Sequence, residues 1–239
     1  MTFNLLTELP YLKKSYSEFE QSGIAQLRNN SPLPKLVVSD VDSTFIKQEV
    51  IDLLANYAGM GEAVREITEA AMNGELDFQQ SLTQRVATLA GQPSEILETI
   101  HTQIQLTNGA KNLVDSLHKQ GHFFALISGG FIQILKPIAL DIGINYYAAN
   151  DLEIVNGKLT GKLLGEVIDA KAKAKYLTQL AAQLQIPLNN TIALGDGAND
   201  LEMMKVAGIA ISFNGKPKVK DAADVNFQGA FIDHVLAFV

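Results

Sequence analysis

The 239-residue chain contains no cysteine, which removes disulfides, thiolate metal sites and thiol nucleophiles from consideration. That absence fits a cytoplasmic protein, since disulfides persist mainly in oxidising compartments. Histidine is scarce as well: His101, His118, His122 and His234 are scattered without metal-ligand spacing and read as ordinary surface or core residues. No apolar run approaches the roughly 20 residues of a membrane span. Glu8 and Pro10 interrupt the N-terminus before a signal-like apolar stretch develops. Positive charge is in deficit, with 19 basic against 26 acidic side chains and a net charge of −7. The deficit argues against nucleic acid or an anionic membrane as the main partner. Nothing in the composition fixes an oligomeric state.

What remains is ordinary globular material, 47% hydrophobic with 18 glycines, and long enough for one large domain or a core with an insertion. Leu12, Tyr16, Phe19, Ile24 and Leu27 recur at helical spacing until Asn29–Pro34 breaks the pattern, so residues 1–34 are expected to be a helical extension. Leu36-Val37-Val38 reads as a short buried strand ending in Ser39-Asp40. From about 46 to 105 the pattern is helical, with stripes at Val50/Leu53/Leu54/Tyr57, Phe78/Leu82/Val86/Leu89 and Ile96/Leu97/Ile100. Buried strands then return at Phe123–Ile127, Thr191–Leu194 and Ile209–Ile211, separated by helices around Leu113/Leu117 and Leu177/Leu180/Leu184. Asn156-Gly157 between Leu152–Val155 and Lys158–Thr160 predicts a type I′ hairpin, because that turn needs two positive φ angles. Alternating strands and helices imply an α/β fold: a parallel-sheet core of 35–45 and 106–239, interrupted after its first strand by a helical insertion at 46–105.

Three of these strands end in short polar sequences: Ser39–Thr44, Ser128-Gly129-Gly130 and Gly195–Asp200. Open α/β sheets bind ligands beyond the carboxyl ends of their strands. Each sequence is weak alone, but together they crowd Asp40, Asp42, Asp196 and Asp200 along one sheet edge. Such crowding is costly unless a cation neutralises it. A donor set of oxygens alone favours Mg2+ over zinc. An EF-hand reading fails, since Phe45 stands where the loop needs glycine and Ile51 where it needs glutamate. No Walker A sequence occurs, and Gly195-x-Gly197 continues to Asp200 rather than to a third glycine.

A carboxylate beside magnesium can attack phosphorus, while a second carboxyl held off the metal can serve the leaving alcohol as general acid. Backbone N–H groups of Val41–Thr44, with Ser128 and Gly129, suit phosphate oxygens. Lys173 shares the inward helical face of Leu177, Leu180 and Leu184, and is either a phosphate counter-charge or a snorkelling surface lysine. Glu49 and Arg85 also fall on apolar helical stripes. They are either a structural ion pair or aimed into a cleft, where Glu49 would suit an ammonium group and Arg85 a carboxylate.

With these residues in place, the chain from about residue 35 onward resembles the haloacid dehalogenase superfamily, and within it the phosphoserine phosphatase branch. The resemblance rests on four motifs in order: Asp40-Val41-Asp42-Ser43-Thr44; Ser128-Gly129-Gly130-Phe131; Lys173; and Gly195-Asp196-Gly197-Ala198-Asn199-Asp200. It implies a Rossmann-like core with a small helical cap, and hydrolysis of O-phosphoserine to serine and phosphate through an aspartyl-phosphate, as in serine biosynthesis. The alternative is hydrolysis or transfer of phosphate from another small phosphorylated amine or metabolite. By the same resemblance Asp40 is the nucleophile and Asp42 the general acid/base, and Ser128, Gly129 and Lys173 hold phosphate. Asp40, Asp196 and the backbone carbonyl of Asp42 hold magnesium, with Asn199 and Asp200 orienting Lys173 and the metal's waters. Glu49, Met72, Phe78 and Arg85 read or enclose the amino-acid part of the substrate. Residues 1–34 are too short for the regulatory domain some members carry, so feedback through such a domain is not implied.

Overall fold

The computed structural model describes residues 33–229 and 231–239, without the side chain of Met72. The helical extension expected at 1–34 lies, but for its last two residues, outside the described residues.

A seven-stranded sheet in the order β4-β3-β2-β1-β5-β6-β7 forms the centre. Its strands are β1 (Leu36–Ser39), β2 (Phe123–Phe131), β3 (Tyr146–Val155), β4 (Lys158–Leu164), β5 (Thr191–Gly195), β6 (Ile209–Phe213) and β7 (Val225–Phe227). Every pairing is parallel except that of β3 with β4. β1 lies between β2 and β5, with Val38 opposite both Ala125 and Ala193. All four of its residues are buried, which is why it reads as an unbroken apolar run rather than an alternating one.

The two faces are nonetheless sorted with period two. Leu36, Val38, Ala125, Ile127, Ala193 and Ala210 pack with Leu177 and Leu180 of α7 (Ala170–Gln183) and with Met203 and Met204 of α8 (Leu201–Val206). Val37, Phe124, Leu126, Ile192, Leu194 and Ile211 face the other way. They pack with Leu113 and Leu117 of α5 (Ala110–Lys119) and Ile134 and Ile138 of α6 (Ile132–Ile142). Each fully buried aliphatic side chain stabilises the fold by about 1.5–3 kcal/mol before entropy is counted. A short α9 (Pro217–Ala222) follows β6.

Between β1 and α5 the chain forms four helices: α1 (Val50–Tyr57), α2 (Gly61–Met72), α3 (Phe78–Ala87) and α4 (Ile96–His101). The segment leaves and rejoins the sheet region at one place, because Ile46 and Leu106 form an antiparallel bridge and Lys47 N–H donates to Gln105 O at 2.9 Å. α3 begins with a capping box in which Asp77 and Gln80 each accept the other's backbone N–H.

The Asn156-Gly157 turn has φ of 51° and 72°, as a type I′ hairpin requires. The sequence pattern does not reveal that β3 begins ten residues earlier, at Tyr146, and runs parallel to β2 before turning. Nor does it reveal the hairpin's second use. Gly91 N–H donates to Leu159 O at 2.8 Å, Leu159 N–H to Gln92 O at 2.9 Å and Ser94 N–H to Gly157 O at 2.8 Å, so the hairpin supports the chain after α3. At Gly161 a Cβ would lie 2.9 Å from that of Ala90, and φ is +81°, so only glycine fits this approach. Among the described residues, no helix is long and apolar enough to cross a membrane.

Candidate active site

Asp40 is the last residue tied to the central strand: its N–H donates to Leu194 O at 2.8 Å. The chain then makes one wide turn, Val41–Phe45, closed by Ile46 N–H on Val41 O at 2.9 Å. Within it Ser43 adopts φ +57°, a left-handed conformation costing a non-glycine residue about 1–2 kcal/mol. Ser43 is held there by its N–H on Gln48 O at 3.2 Å and its hydroxyl on Glu49 Oε1 at 2.7 Å. The turn carries Asp42 to a different set of partners from Asp40. Asp42 Oδ1 accepts from Val50 N–H and its Oδ2 from the Ser128 hydroxyl, both at 3.2 Å. Thr44, fully buried, reaches Asp196 Oδ1 at 3.4 Å and is anchored through its carbonyl by the Thr107 hydroxyl at 2.6 Å.

The position of Lys173 excludes one of its two readings from sequence. The residue lies on the inner face of α7, 0% exposed, and donates to Asp40 Oδ1 and, at 2.7 Å, to Asp200 Oδ1. It does not snorkel. The helix start that places it is fixed by Asp169, whose Oδ1 accepts from Ala172 N–H at 2.8 Å. Asp200 uses its other oxygen for the N–H groups of Asp196 and Gly197, at 3.2 and 3.0 Å. Gly195 permits this, since a Cβ there would stand 2.3 Å from Asp200 Oδ2.

Electrostatics separate the carboxyls. Burial, then the neighbouring Asp200 carboxylate, hold Asp40 well above the usual carboxylate range despite the opposing pull of Lys173. Burial, with Asp200 and Glu49, pushes Asp196 up to about 6. Burial alone would lower Lys173, but Asp200 and Asp40 more than reverse it, so its ammonium is retained. Carboxylate oxygens of Asp40, Asp196 and Asp200 lie within 4.8 Å of one another. One buried ammonium among three carboxylates leaves negative charge uncompensated, and every donor is oxygen. That chemistry fits a hard divalent cation. Asp42 is outside this cluster, and burial, then Glu49, pushes it up to about 7, so near neutrality it is available in both protonation states.

The second strand end faces these groups. Between β2 and β3, Ile127 pairs with Ala148 and Phe131 with Asn150, so β2 spends four steps where β3 spends two, and Ser128-Gly129-Gly130 loops out of the ladder. Ser128 is buried, and its Oγ accepts from Gly130 N–H at 2.7 Å. A Cβ on Gly130 would come within 2.6 Å of Asp42 Oδ2, and one on Gly129 within 2.9 Å of Phe78 Cζ. Phe78, the first residue of α3, is thereby pressed onto the strand end, and Asn199 Nδ2 stands beside the same glycine.

Glu49 precedes α1, with its side chain held by Ser43. Arg85, half-buried on α3, donates its Nε–H to Ser81 O at 3.3 Å. Among the described residues no ion pair joins Arg85 to Glu49 or to any other carboxylate, so the structural salt bridge considered from sequence is not formed. Burial lowers the Arg85 pKa, while Asp52, Glu49 and Asp42 act in the opposite direction. The side chain of Met72 lies outside the described residues. Three participants escaped the sequence reading: Ser43 as the holder of Glu49, the Thr44–Thr107 anchor, and Asn150. A lone asparagine inside a strand gives no periodic signal to find it by.

Comparison with known proteins places the chain among relatives of one family. The profile of the family described as haloacid dehalogenase-like hydrolase matches residues 34–208. The phosphoserine phosphatase of Streptococcus thermophilus is 50% identical over 190 residues, covering 80% of this chain and 88% of the relative. That of Streptomyces coelicolor is 46% identical over 202 residues, 84% of this chain, but the chain spans only about half (49%) of that relative's length. A solved structure of a phospho-aspartyl intermediate analogue of phosphoserine phosphatase superposes with a TM-score of 0.81 at 39% identity, covering 86% of this chain and 99% of the other.

Proposed function

The chain belongs to the haloacid dehalogenase-like hydrolases, and on that premise we propose that it is a magnesium-dependent phosphomonoesterase hydrolysing O-phosphoserine to serine and phosphate. The observation that carries the proposal is the division of labour between two aspartates two residues apart. Asp40 sits with Lys173 and the acidic cluster, whereas Asp42 is held apart with a pKa of about 7.

Lys173 occupies Asp40 Oδ1, which leaves the second oxygen to attack phosphorus as the P–O bond to the serine oxygen breaks. Protonated Asp42 gives its proton to that departing oxygen, releasing serine and leaving an aspartyl-phosphate on Asp40. Asp42, now ionised, takes a proton from water as the water oxygen attacks phosphorus, which frees inorganic phosphate and restores both carboxyls. Ser128 and the backbone N–H groups of the Val41–Thr44 turn and Gly129 hold the phosphate oxygens, and Lys173 balances their charge. Asp40, Asp196 and the Asp42 carbonyl would hold magnesium, with Asp200 supporting from behind; when bound, it neutralises the phosphoryl oxygens and the crowded carboxylates.

Residues 46–105 act as a cap over a core of 35–45 and 106–239. Glu49 takes the substrate ammonium, Arg85 its carboxylate, and Met72, Phe78 and Asn199 enclose the rest. Among the described residues the Arg85 guanidinium bonds only to Ser81 O of its own helix and pairs with no carboxylate, which supports this, since a half-buried guanidinium without one is suited to a carboxylate of the ligand. A cytoplasmic location and a small-molecule partner, without nucleic acid or membrane, belong to the same proposal.

The test is phosphate release from a panel of esters with and without magnesium. O-Phosphoserine should exceed sugar phosphates and phosphoserine analogues lacking the ammonium or the carboxylate by at least tenfold in kcat/KM. Equal turnover across the panel would overturn the substrate, and turnover unaffected by chelation would overturn the metal. A second reading, transfer or hydrolysis of phosphate from another small amine ester, is favoured only if an ester of that kind outperforms phosphoserine in the same panel.

A further inference from the structure

We infer that Asn150, a residue outside the catalytic set, is the positioning residue that builds the phosphate-holding loop and ties it to the helix of Lys173. The inference rests on the reading of Ser128, Gly129 and Lys173 as the phosphate site.

The argument begins with the irregularity in the sheet. Residues Ser128–Gly130 leave the β2–β3 ladder, so the Gly129 carbonyl loses the strand partner that a regular ladder would give it. Asn150 replaces that partner: its Nδ2 donates to Gly129 O at 2.8 Å. On the other side of the same peptide unit, Gly130 N–H donates to Ser128 Oγ at 2.7 Å. The peptide joining Gly129 and Gly130 is therefore pinned at both its oxygen and its nitrogen.

This has a consequence for the chemistry. Because Ser128 Oγ accepts from Gly130 N–H, the hydroxyl proton is left to point outward, and without substrate it reaches Asp42 Oδ2. The same pinning that orients the peptide thus fills one lone pair of Ser128 and directs its O–H toward the site, where a phosphate oxygen requires a donor. If the peptide turned over, Ser128 would lose its internal donor and be free to accept, and the loop would no longer be preorganised for an anion.

The other end of the amide is equally specific. Asn150 Oδ1 accepts from Ile168 N–H at 2.7 Å. Ile168 directly precedes Asp169, the cap of α7, and Asp169 O in turn accepts from Lys173 N–H at 2.9 Å. One buried amide, 3% exposed, therefore links the two elements that hold phosphate. The position needs a donor and an acceptor at once. Its orientation is fixed by its partners, a carbonyl on one side and an N–H on the other. Aspartate, with the same shape, has no donor for Gly129 O, and a hydrophobic residue satisfies neither group.

The experiment compares wild type, Asn150→Ala and Asn150→Asp with magnesium present, below each protein's melting temperature. Beside the melting temperature, four quantities are read: the inhibition constant of inorganic phosphate, KM for phosphoserine, kcat for phosphoserine, and the ratio of kcat/KM between phosphoserine and its analogue lacking the ammonium. A positioning role raises the phosphate inhibition constant and KM by about tenfold and leaves the ratio within twofold of wild type, since the amino-acid contacts lie elsewhere. A purely structural role lowers the melting temperature with the inhibition constant unchanged, and that result would overturn the inference. Should both variants fail to fold, the wild type decides it by NMR. The Asn150 side-chain amide signals should shift with inorganic phosphate at the same midpoint as Gly129 and Lys173, and their indifference to phosphate refutes the link. Phosphate that does not inhibit wild type at all sinks the site reading itself, which is distinguishable from failure of Asn150 alone.

Discussion

Lys173 and Arg85 are both cations facing carboxylates, yet the protein treats them in opposite ways. Lys173 is wholly enclosed and donates to two aspartates that, among the described residues, pair with no other cation. Arg85 is half-buried, and among the described residues its guanidinium makes one hydrogen bond, at 3.3 Å to Ser81 O of its own helix. The first is committed to the scaffold at the strand ends; the second is uncommitted in the helical segment. A buried charge that the fold satisfies belongs to its architecture as much as to its chemistry, whereas one left unsatisfied is held ready for something that arrives. The strand ends are therefore expected to govern turnover, with Lys173 supporting stability as well, and the helical segment to govern selection alone.

The sharpest break in that comparison is Asp40→Asn against Arg85→Met. Removing the proposed nucleophile should lower kcat by about ten-thousandfold or more, as loss of a covalent catalyst does elsewhere. Its melting temperature without metal should not fall, because burial already disfavours the ionised Asp40. Arg85→Met should lower kcat/KM for phosphoserine by about tenfold to a hundredfold, the worth of charge-assisted hydrogen bonds of about 1.5–3 kcal/mol. Turnover of an ester lacking the carboxylate should be nearly unaffected. Steady-state kinetics on both esters checks this, and comparable losses of kcat in the two variants would erase the distinction between the regions.

Stability separates the two cations next. Lys173→Met leaves Asp40 and Asp200 buried without their counter-charge and should cost about 3–5 kcal/mol in denaturant unfolding. Arg85→Met should stay within about 1 kcal/mol of wild type. A destabilisation of Arg85→Met as large as that of Lys173→Met would mean the arginine is structural after all.

The strand-end carboxyls also set a pH dependence. Asp196 and Asp42 titrate at about 6 and 7 when folded, against an ordinary value of 3.8. The folded state thus keeps protons that the unfolded chain has released. Their contribution to stability is full below about 3.8 and is lost as pH rises through 6 and 7. Magnesium should offset that loss by neutralising ionised carboxylates, whereas at low pH it must displace protons to bind. The rise in melting temperature on adding magnesium should accordingly be larger at pH 8 than at pH 5. A gain that is equal at the two values would disconnect the acidic cluster from the metal.

Much of this contrast was legible in the chain because the informative residues break a pattern. Asp40, Ser128 and Asp196 follow apolar runs, and Lys173 interrupts an apolar helical stripe, so periodicity alone placed each at a strand end or on an inner face. What stayed hidden depends on geometry that periodicity does not encode. The two-residue excess of β2 over β3 is a property of their register, and the amide of Asn150 gains its meaning only from that irregularity. The Ser43–Glu49 bond likewise depends on a left-handed backbone in a residue type that seldom adopts one. The open choice between an ion pair and a cleft for Glu49 and Arg85 has the same origin, since phase names the face of a helix but not its neighbour.

The smallest effect tests the seam between the two regions. Gly129 belongs to the strand end and Phe78 to the helical segment, and a Cβ at Gly129 would lie 2.9 Å from Phe78 Cζ. The atom in the way is the far end of a side chain, and the backbone at Gly129 does not adopt a positive φ. Gly129→Ala should therefore fold with a loss of about 1 kcal/mol, the low end for overpacking, and move Phe78 rather than the strand. If Phe78 closes over bound substrate, KM should rise severalfold while kcat changes less. Phe78→Leu removes the obstructing atom, so the double variant should bind phosphoserine better than the two single effects combined would allow. That non-additivity measures the coupling between chemistry and selection directly. Strict additivity would show that the strand end and the helical segment work independently, and that Phe78 rests on Gly129 without consequence for the substrate.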